Sequence, residues 1–127
     1  KDLMSKQQKN VLGENLEECS NNPLTGWFRD GCCNTDENDH GMHTVCVKVN
    51  NKFLEWCKNA GNDLITPHPE VGFPGLKDGD RWCICAVWVA RALENGIECS
   101  VYLKKTHENT LKVVSFEKLK KIAIDLS

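Results

Sequence analysis

A chain of 127 residues has the length of one domain, and 40% hydrophobic with 27% charged residues excludes a disordered polymer. A formal net charge of −2 removes any bulk electrostatic case for nucleic acid or an anionic membrane as partner. No apolar run approaches the ~20 residues of a bilayer span.

Residues 1–9 are polar and lack the apolar h-region of a signal peptide. They are expected to be a disordered terminal segment or an added tail, with a single domain over 10–127. A cytoplasmic location follows, and with it a reducing environment. The eight Cys are then expected to be metal ligands, reactive groups or small core residues, with no native disulfide.

Residues 10–41 hold no sustained period of 2 or 3.6 and read as one long irregular loop, anchored by burial of Trp27 and Phe28. Asp39, His40 and Met42 read as its surface. Residues 44–49 alternate as a strand, with Val45, Val47 and Val49 on one side. Asn50 or Asn51 caps a helix to about Ala60, which Gly61 stops. The stretch from Gly61 to Gly79 is a second long loop, stiffened and bent by Pro and Gly. Asp80 reads as the N-cap of a helix from Arg81 to Asn95, although the β-prone run from Ile84 to Val89 keeps a strand open. Residues 97–104 alternate again, with Cys99, Val101 and Leu103 inward. A short apolar run at 111–114 precedes Ser115, the cap of a last helix. The fold class is α+β: a small, mostly antiparallel sheet, about three helices and two long irregular loops.

The two loops carry the runs Asn10-Val-Leu-Gly13, Arg29-Asp-Gly-Cys-Cys-Asn-Thr35, His43-Thr-Val-Cys46, Gly61-Asn-Asp-Leu64, Phe73-Pro-Gly-Leu76 and Gly79-Asp-Arg-Trp-Cys83, with Thr66-Pro67, Pro69-Glu70 and Cys85-Ala86 beside them. In these runs the sequence resembles the bacterial family known as domain of unknown function 2237. The resemblance implies bacterial origin and a stand-alone domain, and it supplies no catalytic residues. Cys57 and Cys99 lie outside the shared runs and are expected in the core.

Three site readings stand side by side. The first is a reactive thiol: Cys83 in the first turn of the expected helix, His43 as its base and Asp63 orienting that base. Asn62, Asp63, Arg81 and Trp82 are the matching ligand-binding candidates, where the first loop, the second loop and the helix start meet. The second is a metal site, with zinc as the candidate ion. Its ligands are Cys32, Cys33, His43 and Cys46, the last two at H-x-x-C spacing; the absence of any C-x-x-C knuckle argues against it. The third is an interaction module for a peptide or small molecule on the ridge of Pro67, Pro69, Phe73, Pro74 and Leu76. Each competes with a plainer alternative of small thiols and apolar residues packing under loops. Cys83 and Cys85 mark a fork: on a strand both sulfurs share a face, on a helix they lie ~200° apart.

Overall fold

The computed structural model describes residues 7–126. The expectation for residues 1–9 falls on 1–6, outside the described residues, and on a following stretch in which Gln8 hydrogen-bonds the backbone of Thr35 and Lys9 bridges to Asn15. No helix among the described residues is long and apolar enough to cross a membrane.

Strand β1 (His43–Lys48) is the centre of a three-stranded antiparallel sheet. Strand β2 (Arg81–Cys85) pairs along one of its edges and the two-residue β3 (Ser100–Val101) along the other. Helices α1 (Asn51–Asn59), α2 (Ala86–Glu94) and α3 (Phe116–Lys121) complete the α+β fold. Three short 3-10 turns join them, at Pro69–Val71, Leu103–Lys105 and Glu108–Lys112.

Local chemistry sets α1 and α3. Asn50 accepts a hydrogen bond from the Phe53 N–H at 2.7 Å and Ser115 from the Lys118 N–H at 3.3 Å, each satisfying one of the donors that a helix start leaves free. Past α1, Gly61 takes φ 103°, where a side chain would be strained.

The helix expected from Arg81 to Asn95 divides into two elements. Arg81–Cys85 is strand, and the helix starts only at Ala86. Asp80 does not cap it; its carboxylate accepts the Lys77 N–H at 3.0 Å and closes the turn before β2. The β-prone Trp82 and Ile84 gain a long-range partner in β1 that local pattern cannot display. The strand expected over 97–104 shortens to Ser100–Val101, yet Cys99, Val101 and Leu103 are buried as the alternation requires. The run at 111–114 is no strand; it overlaps the third 3-10 turn, and only Val114 is buried.

One face of the sheet carries the apolar core. Val45, Val47, Trp82 and Ile84 pack with Phe53, Leu54 and Cys57 of α1, Val89 of α2 and Leu119 of α3. Full burial of such a side chain is worth about 1.5–3 kcal/mol. The other face meets the first loop. The loop's start is fixed by Asn10, which is buried and whose Oδ1 accepts the N–H groups of Leu12 and Glu14 at 2.9 and 3.0 Å. Its middle is fixed against β2, where Thr25 Oγ1 accepts the Cys83 N–H at 2.9 Å and Arg81 Nε donates to the Cys19 carbonyl at 2.7 Å. These bonds cover an otherwise open sheet edge.

Two disulfides tie the loop down, contrary to the expectation of none. Cys19 is joined to Cys46 and Cys33 to Cys83, with Cα–Cα separations of 5.7 and 5.4 Å, inside the range a bridge allows. They replace the aromatic anchoring expected of Trp27 and Phe28, which remain 41% and 48% exposed.

Candidate functional site

The pairing of β1 with β2 places the site. Cys46 lies opposite Cys83, Val45 opposite Ile84, and His43 opposite Cys85. Thr44 has no partner in this register; it is the extra residue of a bulge. Opposed residues share a face, so Cys83 and Cys85 lie together on the loop side. In a regular ladder His43 would share the face of Val45 and enter the core. The bulge brings it to the face of Cys85 instead, a way in which bulges re-aim side chains.

His43 meets three groups there. Its Nδ1 lies 2.6 Å from Oδ1 of Asp39. Its ring stacks on Trp27, with centroids 5.7 Å apart and planes 18° from parallel. Cys85 is its cross-strand partner. The hydrogen bond to Cys85 is the first cause holding the imidazole proton; burial opposes it, Asp39 adds to it, and the net effect raises His43 from 6.5 to about 9.

Asp39 is buried rather than on the loop surface, with its side chain 0% exposed. Burial alone would raise its pKa. The hydrogen bonds from the His43 side chain and backbone and from Thr35 outweigh that and hold it below the ordinary 3.8. Its Oδ2 accepts the His43 N–H at 2.9 Å and Thr35 Oγ1 at 3.0 Å. The carboxylate is therefore oriented before it orients the imidazole.

Cys85 ends β2 and is the N-cap residue of α2. Its side chain makes no capping bond, so first-turn N–H groups beside the sulfur have no partner in it; the Ala86 N–H goes to the Met42 carbonyl at 3.0 Å. Gly41 closes over the pair. A Cβ added there would stand 2.9 Å from Cys85 Sγ and 3.3 Å from His43 Cε1.

His43 also belongs to the wall of a cleft of about 420 Å³, which Trp27, Arg29, Asp63, His68, Phe73 and Trp82 help to line. Arg29 has φ 55°, a left-handed conformation costly for a residue with a Cβ. Its guanidinium donates to the Gly26 carbonyl at 2.8 Å and lies 5.4 Å from the centre of the Trp82 ring. A fixed cation thus faces an aromatic wall.

The residues singled out in the sequence separate into three places. Cys83 is bonded to Cys33 and 2% exposed, so it holds no free thiol. Asp63 lines the cleft, but its carboxylate is spent on its own turn: it accepts Thr66 Oγ1 at 2.6 Å and the N–H groups of Ile65 and Thr66. The Thr66 side-chain bond leads the causes that lower it to about 2. Asn62 donates its N–H to the Cys57 carbonyl at the end of α1, Arg81 is committed to Cys19, and Trp82 lines the cleft. Of the proposed metal ligands, Cys33 and Cys46 meet in a buried sulfur cluster with Cys19 and Cys83. Cys32 is half-exposed outside that cluster, and His43 faces Cys85. Sequence reasoning missed Asp39 and the role of Cys85. The available signals were the Asp39-x-x-x-His43 spacing and a Cys at the end of a β-prone run.

Residues 9–123 match the model of domain of unknown function 2237, described as an uncharacterised protein conserved in bacteria. No curated protein matches the chain.

Proposed function

The chain belongs to domain-of-unknown-function family 2237, and from its own geometry we propose that it is a thiol-nucleophile domain in which Cys85 attacks an acyl group docked in the adjoining cleft. The carrying observation is the order Cys85, His43, Asp39: Cys85 opposite His43 in the ladder, with Cys85 Sγ and the imidazole both bordering Gly41, and the imidazole against a buried carboxylate at 2.6 Å. This is the arrangement in which a base activates a nucleophile and a third group fixes the base. The Cys85 sulfur forms a bond to the carbonyl carbon as its proton resides on His43. The bond to the leaving group breaks, and His43 delivers that proton to it. Water then takes up the acyl group, with His43 accepting the water's proton and returning one to the sulfur. The N–H groups of the first turn of α2 beyond Ala86, which the Cys85 side chain does not cap, would receive the developing oxyanion. Trp27, Phe73 and Trp82 suit a flat or apolar acyl group, and Arg29 suits an anionic substituent.

The half-exposed thiols Cys32 and Cys85 are what a reducing, cytoplasmic location keeps free, whereas the two bridges are what an oxidising one produces. The bridged sulfurs are 0–2% exposed, so a reductant reaches them when the first loop lifts away from the sheet.

The test is a panel of aryl esters and thioesters, with and without a carboxylate, followed by intact mass and peptide mapping. An acyl adduct on Cys85 that Cys85→Ser abolishes is expected. Acylation of Cys32 at the same rate as Cys85, or adducts persisting in Cys85→Ser, would remove the proposal.

A further inference from the structure

The second sulfur group is independent of Cys85. The Sγ atoms of Cys19, Cys33 and Cys46 all lie within 4.8 Å of one another, and Cys33 is bonded to Cys83. All four residues are 0–2% exposed and form a cluster of their own, apart from the main core, with Tyr102 packed against it. Cys46 and Cys83 are cross-strand neighbours on β1 and β2, while Cys19 and Cys33 come from the first loop. Two bridges packed side by side therefore amount to four sulfurs converging from two directions on one volume.

We propose that this cluster is a redox-gated metal site: oxidised, it is two disulfides; reduced, it is a four-cysteine site for one zinc ion. Four sulfurs about 2.3 Å from a tetrahedral ion stand about 3.8 Å from each other. The sulfurs of Cys19, Cys33 and Cys46 already lie within 4.8 Å of one another, and the sulfur of Cys83, freed from Cys33, has to swing toward them to complete the four. A protein dithiol such as a thioredoxin-type reductant supplies the electrons. Each bridge takes two electrons and two protons, and each dithiol becomes a disulfide. The four thiols then bind one Zn²⁺ and release four protons. Reoxidation by a disulfide or peroxide removes four electrons and expels the ion.

Two features favour the reduced, loaded state. Without bridges the first loop keeps the hydrogen bonds of Asn10, Thr25 and Arg81 but loses both covalent ties, and Trp27 and Phe28 are too exposed to replace them; an ion would restore both ties at once. A four-thiolate zinc site also carries two net negative charges. Arg81 bonds the carbonyl of Cys19 at 2.7 Å, and Lys105 bonds the carbonyl of Glu18 at 3.0 Å while lying 5.5 Å from the Tyr102 ring centre. Two cations thus stand at the segment carrying the first ligand.

The test uses the whole chain, reduced without oxygen by a non-thiol phosphine and titrated with Co²⁺ and then Zn²⁺. One ion per chain is expected, with thiolate-to-cobalt charge-transfer absorption that zinc displaces. Zinc should protect Cys19, Cys33, Cys46 and Cys83 from alkylation while Cys32 and Cys85 stay reactive. Cys46→Ser should lose the charge-transfer band's four-sulfur intensity, and Cys85→Ser should keep it. Reduced wild-type protein that takes up no cobalt, or protection that falls on Cys85 and Cys32 instead, would overturn the proposal. Because the protection map needs no variant, a misfolded Cys46→Ser leaves the answer intact.

Discussion

His43 and Cys85 face each other across the β1–β2 ladder because the pairing passes over Thr44. One unpaired residue thus decides whether an imidazole enters the apolar core or meets a sulfur. Thr44 is itself held by its buried hydroxyl, 2.7 Å from that of Thr110, so the bulge is fixed from a distant turn.

The pH dependence follows from His43. Its folded value of about 9 lies above the ordinary 6.5, so the imidazolium survives through neutral pH and is lost as pH rises through about 9. Acyl transfer that needs this proton at the leaving group should therefore fall along a limb near pH 9. In His43→Gln the limb should vanish and the rate should drop by about 10²–10⁴. Stopped-flow acylation from pH 6 to 10 gives both readings, and a limb that persists in His43→Gln would assign it to another group.

Gly41 offers a steric test with little backbone confounding, because its φ is not among the positive values. An Ala methyl would arrive 2.9 Å from Cys85 Sγ, too close for the pair to keep its place. Gly41→Ala should slow alkylation of Cys85 by at least ~10-fold, a barrier change of only about 1.4 kcal/mol, while the melting temperature moves little. Unchanged labelling kinetics would show that the sulfur does not work where the geometry places it.

Asp39 couples the site to stability. Its folded pKa is depressed, so the stability it contributes is complete above the ordinary 3.8 and is lost as pH falls through the folded value. Asp39→Asn should cost about 1.5–3 kcal/mol at pH 7, the range for hydrogen bonds to a charged group. The difference from wild type should narrow below pH 4. Urea unfolding at pH 7, 5 and 3 measures it, and a constant difference would mean that shape rather than charge is responsible.

The two bridges are expected to support the first loop through the unfolded chain. The Cys19–Cys46 bridge spans 27 positions, and the loop-entropy relation gives about 3–4 kcal/mol for a closure of that size. Cys19→Ala with Cys46→Ala, studied free of metal, should lower the urea midpoint accordingly. Fragments from limited proteolysis should then map to residues 10–41. A variant as stable and as protease-resistant as the parent would show that Asn10, Thr25 and Arg81 hold the loop unaided.

What could be read in advance divides along the range of the forces. Asn50 as cap, Gly61 as stop and the alternation of Val45 and Val47 are local, and α1 and β1 sit where those signals put them. The run from Arg81 to Asn95 carries an apolar pattern that suits a helix or a strand; only pairing with β1, some 35 positions away in the chain, decides it. Asp39 sits among Asp36, Glu37, Asn38 and His40 and has the sequence context of a surface loop. Its burial comes from Thr35 and the His43 backbone, contacts that a linear pattern does not expose. The same blindness applies to the sulfurs, since spacing could not say which of eight partners would meet.

With Cys19, Cys33, Cys46 and Cys83 in bridges and Cys57 and Cys99 buried, the half-exposed thiols are Cys32 and Cys85. Burial pushes Cys57 up to about 12 and Cys99 up to about 11, so both stay protonated under ordinary coupling conditions. The native molecule is therefore addressable at two points without engineering, one on the first loop and one at the start of α2. A pair of spin labels on Cys32 and Cys85 would form a molecular ruler between loop and sheet. Because the reagent needs no mutated background, the distance distribution it returns would report the loop's motion in the unaltered chain, and its broadening on reduction would time the release of the tethers.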